Sequence, residues 1–299
     1  MTAPRTSTPA IIGATIAVSF SAIFIRIAGD DPATVVWVRM GMATVLLLPW
    51  ALHAVSRASL ARMRERLGVV LGSGVLLAAH FLLWTASLRY TSIAASVLLV
   101  SLHPVIVTPL GRRLLGDRVP RRAALGMALA LLGTAVTCVG DVRLSASALF
   151  GDVLALGGAV CLAGYLLIGR GVRGTIGVAA YSATVYAVVC VVAAIVAAAG
   201  GATHLPSART ALLCLALAVV CTLGGHTVYN WALRHVRAAT VSVAFLGEAP
   251  LAAALGFLIL ANAPTAATLA GGVLILAGVG VTLAEAQPVA HVEPSMALE

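Results

Sequence analysis

The sequence predicts an all-α integral membrane protein of ten transmembrane helices arranged as two inverted five-helix repeats. Three observations carry that expectation: apolar stretches of span length along the whole chain, arginines gathered in alternate loops, and short motifs that recur at an offset of 144 or 145 residues. Of 299 residues, 61% are hydrophobic and 10% charged, with a mean hydropathy of +1.06. A soluble domain carries roughly a quarter charged residues, so a water-soluble fold is excluded.

A helix of about 20 apolar residues crosses the roughly 30 Å hydrocarbon core of a bilayer. Such stretches place spans at 8–28, 33–55, 67–88, 92–112 and 123–140, then at 150–169, 176–199, 210–233, 239–260 and 265–285. Breaks such as GDDP at 29–32, GGATHLPS at 200–207 and NAP at 262–264 carry the Gly, Pro, Asp and Asn that end helices. The chain divides into a cytoplasmic tail (1–7), a first repeat (8–140), a second, inverted repeat (150–285) and a disordered cytoplasmic tail (286–299). The first apolar stretch has only Arg5 ahead of it and ends in IRIAGDD, so it is read as helix 1 and not as a cleaved signal.

The net charge of +9 comes from 19 arginines and no lysine against ten acids. In a soluble protein that excess would point to nucleic acid; here it is a topology signal, and no nucleic-acid partner is expected. Fourteen arginines lie in the N-terminal tail and in the loops after helices 2, 4, 6 and 8, whereas the alternate loops hold Arg89, Arg143 and Arg209. Basic loops stay on the cytoplasmic side, so both termini are expected there. Abundant Ala, Gly, Val and Arg without lysine point to a GC-rich bacterial gene, hence a bacterial cytoplasmic membrane. The five cysteines all fall in apolar stretches without a CxxC pair or zinc-like His spacing, so neither a metal nor a cofactor is expected.

The repeat reads most clearly in AASV at 94–97, which returns as AATV at 238–241. Gly111, Pro120 and Gly133 are matched by Gly256, Pro264 and Gly278, and HFLLWTASLR at 80–89 echoes HTVYNWALR at 226–234. Chance similarity in Ala-, Leu- and Val-rich sequence is the competing explanation. An odd number of spans per half forces the second copy to insert upside down, a design many secondary transporters use. Glycines are expected to bring helices close: Gly68 with Gly72, and Gly271, Gly272, Gly278 and Gly280.

The candidate site is drawn from polar residues within spans. Glu248 is the one acid placed deep in a span, where an ionisable group costs a few kcal/mol and calls for a reason. Proton coupling, contact with a substrate amine, and a structural ion pair with Arg39 all remain open. His80 and Trp84 share a face of helix 3 with Ser73 and Leu77, and Thr222, His226, Tyr229 and Asn230 form a matching stripe in helix 8. The two stripes are expected to converge on the pseudo-two-fold axis as a substrate site, where aromatic faces attract an ammonium and Asn or imidazole groups meet a carboxylate. For each residue singly, lipid-facing or helix-packing roles compete. Pro104, Pro109 and Pro250 are expected to break helices 4 and 9, which makes His103 a further candidate.

These residues, with FIRIA at the end of helix 1, WVRMGMATVLLLP around Arg39, SLHPVIVTPLGRRLLGD in the first half and GEAPLAAALGFLIL in the second, resemble the EamA-type branch of the drug/metabolite transporter superfamily. The order and spacing of these motifs cover nearly the whole chain. The chain departs from the family pattern in reading Glu248, Ala249, Pro250 where Glu-Pro is usual. The acid that commonly closes that helix is Asn262 here, against Asp117 in the first half. The resemblance implies export of amino acids or other metabolites, with the aromatic amino acid exporters as the nearest branch.

Other classes find less support. An intramembrane protease would need a GxSxG or GxGD motif, a channel would show a charged ring or a filter segment, and no GxxxxGK[ST] loop is present to use ATP. An enzyme is therefore not expected. An intramembrane enzyme, a non-transporting scaffold, or transport of another metabolite or drug stays as the alternative.

Overall fold

The structure is a computed structural model that describes residues 7–54, 57–139, 145–202, 205–261 and 263–286. Asn262 and most of both tails lie outside the described residues, whose regular structure is all helical. The spans are α1 (Ser7–Ala28), α2 (Pro32–Ala54), α3 (Leu67–Ser87), α4 (Ile93–Val100 and Pro104–Leu115) and α5 (Arg121–Val139). The second half supplies α6 (Ala146–Val172), α7 (Val178–Ala199), α8 (Ala208–Ala232), α9 (Ala238–Leu246 and Glu248–Leu260) and α10 (Ala266–Ala284). Nine of these meet the length and apolarity of a membrane span among the described residues, and α5 packs along α10. A short arginine-bearing helix, Arg57–Glu65, links α2 to α3.

The packing repeats with the halves exchanged. α3 lies on α6 as α8 lies on α1, and α4 lies on α6 as α9 lies on α1. The pairs α2 with α7, α4 with α9 and α5 with α10 map onto themselves. In the last pair Gly126 abuts Gly278, and Gly133 abuts Gly271. Residue number rises on one helix as it falls on the other, so α5 and α10 are antiparallel. Each glycine's repeat mate belongs to the other contact. This is the geometry of a two-fold axis in the membrane plane, and it makes the second half an inverted copy.

Apolar side chains such as Leu125, Leu212 and Leu258 face outward, while Arg39, Asn230, Thr222 and Ser19 are buried. With lipid as the solvent, close backbone approach and polar contacts between helices replace the hydrophobic drive. Gly68 and Gly72 make no such contact among the described residues, since nothing there lies within 4 Å of a Cβ added at either, and the same is true of Gly280. Gly74 makes the contact instead, against Val188 of α7. The face that α3 buries is set by its neighbour, which the GxxxG spacing alone does not reveal.

Most helices that start on the arginine-poor side carry their own caps. Ser92, Ser145, Ser207 and Thr265 accept from the N–H three residues on, and open α4, α6, α8 and α10. The Ser145 cap starts α6 at Ala146, four residues ahead of the sequence-based boundary. α9 has Arg237 at the cap position and no side-chain cap of its own.

Irregular backbone clusters at mid-depth. α4 breaks over Ser101–His103, α9 breaks at Gly247, and Leu217–Thr227 of α8 form a π-helix. Pro104 opens the second segment of α4, and Pro250 sits in the first turn of the second segment of α9. Pro109, expected as a break, lies inside a continuous helical segment. One absent N–H costs a single hydrogen bond, which the flanking turns tolerate.

Candidate functional site

Where the broken helices meet α1, α3, α6 and α8, a cavity of about 330 Å³, open mouth included, lies near the pseudo-two-fold axis. Its walls carry His80 and Trp84 from α3, His103 from the break in α4, His226 from α8 and Glu248 at the start of the second α9 segment. Ser21, Ser101 and Phe245 complete the polar and aromatic lining, and Val18 and Leu162 add apolar wall. The lining obeys the repeat: Val18 and Leu162, Ser101 and Phe245, and His80 and His226 are mates displaced by 144, 144 and 146 residues.

Aromatic rings form an arc through the site. Trp84 stacks with His80 at 6.2 Å between centroids, His80 leans on Phe81 at 4.9 Å, Phe81 meets His226 at 5.0 Å, and Phe245 bridges His226 and His103. His80 Nδ1 lies 3.0 Å from the Gly158 carbonyl, which can only accept. Nδ1 therefore carries the hydrogen, and in the neutral ring Nε2 is the acceptor. His103 Nδ1 sits 2.5 Å from Ser242 Oγ and so joins the two broken helices.

Three buried nitrogens in and behind this wall have no hydrogen-bond partner among the described residues: Trp84 Nε1, His226 Nδ1 and Arg39 Nη2. Buried polar atoms left without hydrogen bonds cost about 1–3 kcal/mol each, so a group that supplies acceptors to the Trp84 and Arg39 N–H groups and a partner of either kind to His226 Nδ1 has a ready source of affinity. Glu248 is buried and faces the cavity as its one carboxyl, with no ion pair among the described residues. Arg39 does not pair with it. The guanidinium donates from Nε to Thr222 Oγ1 at 2.8 Å and from Nη1 to Ser21 Oγ at 3.2 Å, and it lies 4.6 Å over the Phe81 ring. Although three histidines and a glutamate line one cavity, no group of three such side chains among the described residues is placed to hold a metal ion.

The stripe expected on α8 does not stay on one face. The π-helix widens the turn, and Thr222 and Thr227 hydroxyls bond carbonyls five residues back. Of the four stripe residues only His226 lines the cavity. Thr222 turns to Arg39, and Tyr229 stands behind Phe245 at 4.0 Å with its hydroxyl 2.8 Å from Thr15 Oγ1. Asn230 is spent on structure: its Oδ1 accepts from Tyr165 at 2.7 Å and its Nδ2 donates to Ser182 at 3.1 Å. Ser73, at the far end of the α3 stripe, bonds the Tyr181 hydroxyl at 2.6 Å. Ser101 and Phe245 were legible in principle, because they flank the predicted breaks at matching repeat positions. Ser21 gave no sequence signal.

Comparison with known proteins places this architecture. Residues 7–139 and 149–284 each match the EamA-like transporter family. An uncharacterized transporter of Archaeoglobus fulgidus is 27% identical over 151 residues, 50% of this chain, and the match spans about half (53%) of that relative's length. A solved crystal structure shares the fold with a TM-score of 0.75 at 17% identity, over 92% of this chain and 96% of its own. The family match covers both halves in turn, and the chain belongs to the EamA-like transporter family.

Proposed function

We propose that this protein is a secondary transporter that exports small zwitterionic metabolites, amino acids foremost and aromatic ones among them, across a bacterial cytoplasmic membrane. The observation that supports this reading best is the pairing, within one cavity on the repeat axis, of a lone carboxyl with buried nitrogens lacking partners. A substrate ammonium would meet Glu248, its carboxylate would meet the donors around Trp84 and His226, and the ring arc would receive an apolar or aromatic side chain. His80, His103 and Trp84 act here as binding residues, with Tyr229 and Asn230 as their support.

Export proceeds by alternating access, with the halves rocking about the broken helices α4 and α9. Both termini face the cytoplasm in this reading, because fourteen of the 19 arginines lie on their side of the membrane. Glu248 is the group through which a proton gradient couples to the cycle. The test is flux of labelled amino acids in proteoliposomes, with and without a pH gradient. Saturable flux that amino acids compete for supports the reading. Flux of other metabolites alone moves the substrate class, and no saturable flux of any small metabolite removes the transporter assignment.

A further inference from the structure

The ends of α4 and α9 are built alike. Gly116 caps α4 with φ +66 and bonds the Gly111 carbonyl; its repeat mate Ala261 caps α9 with φ +55 and bonds the Gly256 carbonyl. A left-handed turn brings the alanine Cβ against its own backbone, so the turn is held there against its local preference. The residue after the turn differs between the halves. Gly116 is succeeded by Asp117, buried, with Oδ1 3.6 Å from Arg170 Nη2 at the end of α6 and Oδ2 accepting from the Ala238 N–H at 3.3 Å. Asp117, from the first half, thus caps the otherwise uncapped α9 of the second half and pairs with its α6. After Ala261 the sequence has Asn262, while the mate of Arg170 is Arg26, which is exposed and in no ion pair among the described residues.

We propose that Asp117 is a latch that closes the arginine-rich face by tying the two halves together; at the matching repeat position the sequence carries a neutral Asn262, and among the described residues no ion pair joins the two halves on the opposite face. The resting protein is therefore biased toward opening on the arginine-poor side. The cavity leans the same way, since Trp84 stands in the last turn of α3 before that face. Shielded from water, the carboxylate bond to Arg170 and the helix-capping bond both strengthen, and opening the arginine-rich face has to break both. The latch rests on the alternating-access reading of the function, but its test does not measure flux.

A cysteine at the cavity-lining position, Ser101→Cys, is labelled with an impermeant maleimide in spheroplasts and in inverted vesicles, and the labelling of the native cysteines is subtracted. Arg64→Cys shows which preparation exposes the arginine-rich face. Asp117→Asn should raise Ser101→Cys labelling from that face by about fivefold or more, within the usual range of conformational coupling. Arg170→Gln should do so as well, and Asp117→Glu should restore the parent pattern. Asn262→Asp, which gives the second repeat the acid that its sequence lacks at this position, should lower labelling from the arginine-poor face. Unchanged labelling from both faces in Asp117→Asn and Arg170→Gln overturns the latch; should Asp117→Asn fail to fold, Arg170→Gln alone decides. The expected labelling shifts in a protein that shows no saturable flux in the separate proteoliposome assay would instead count against the transport reading and leave the latch standing.

Discussion

Arg39 gives its Nε–H to Thr222 Oγ1 at 2.8 Å and has no carboxylate within ion-pair distance among the described residues, although Glu248 lines the adjacent cavity. A buried cation held by two hydroxyls and one aromatic face is poorly compensated for leaving water; an apolar side chain of similar size removes that desolvation cost and leaves behind two neutral hydroxyls, of which Thr222 keeps the Leu217 carbonyl as partner. Arg39→Met is therefore expected to keep or raise the Tm in detergent while lowering flux by about tenfold or more. A clear loss of Tm with normal flux would show that the guanidinium serves the fold alone.

Glu248 presents the one carboxyl among the described residues that line the cavity, at the first turn of the second α9 segment. Glu248→Gln keeps the shape and removes the charge and the titrating proton. Flux in the variant is expected to lose its response to an imposed pH gradient and to fall by about tenfold, a change of ~1.4 kcal/mol. Flux and gradient response measured side by side in liposomes check this, and unchanged values for both would remove Glu248 from the mechanism.

Trp84 and Asn230 both lie on polar stripes in the sequence, yet they should separate in function. Trp84→Phe keeps an aromatic ring of smaller size and deletes the unpartnered Nε1–H, so KM should rise by about tenfold with a smaller loss of Tm than Asn230→Ala shows. Asn230→Ala leaves the Tyr165 hydroxyl and Ser182 without their partner, and should cost about 2–4 kcal/mol of stability with KM unaltered. Tm and KM determined on both variants distinguish the roles; a raised KM in Asn230→Ala at normal Tm would return that residue to the binding site.

Gly271 and Gly68 provide a contrast within the same residue type. A Cβ at Gly271 would collide with the backbone of Gly133 and with Thr137, whereas one at Gly68 meets nothing within 4 Å among the described residues. Gly271→Ala should destabilise by about 1–3 kcal/mol through forced separation of α5 and α10. Gly68→Ala should be neutral or slightly stabilising, since alanine is the better helix former. Thermal unfolding in detergent reads both.

The sequence by itself determined the ten spans, their order and the two-fold relation of the halves, because span length, polarity and a displaced motif are properties of the chain taken a segment at a time. It also brought His80, Trp84, His103, His226 and Glu248 forward as candidates, and these do share one cavity. Only the tertiary structure decided which polar residues face that cavity. Helical spacing assumes a regular turn, and the π-helix of α8 breaks the stripe so that Thr222, Tyr229 and Asn230 are taken up by Arg39, Thr15, Tyr165 and Ser182. Likewise the partner of a buried charge depends on which hydroxyls from other helices arrive first, and Arg39 found Thr222 and Ser21 from α8 and α1. Position along one helix is written in the local sequence; what stands across from it is settled by packing against helices that lie far away in the chain.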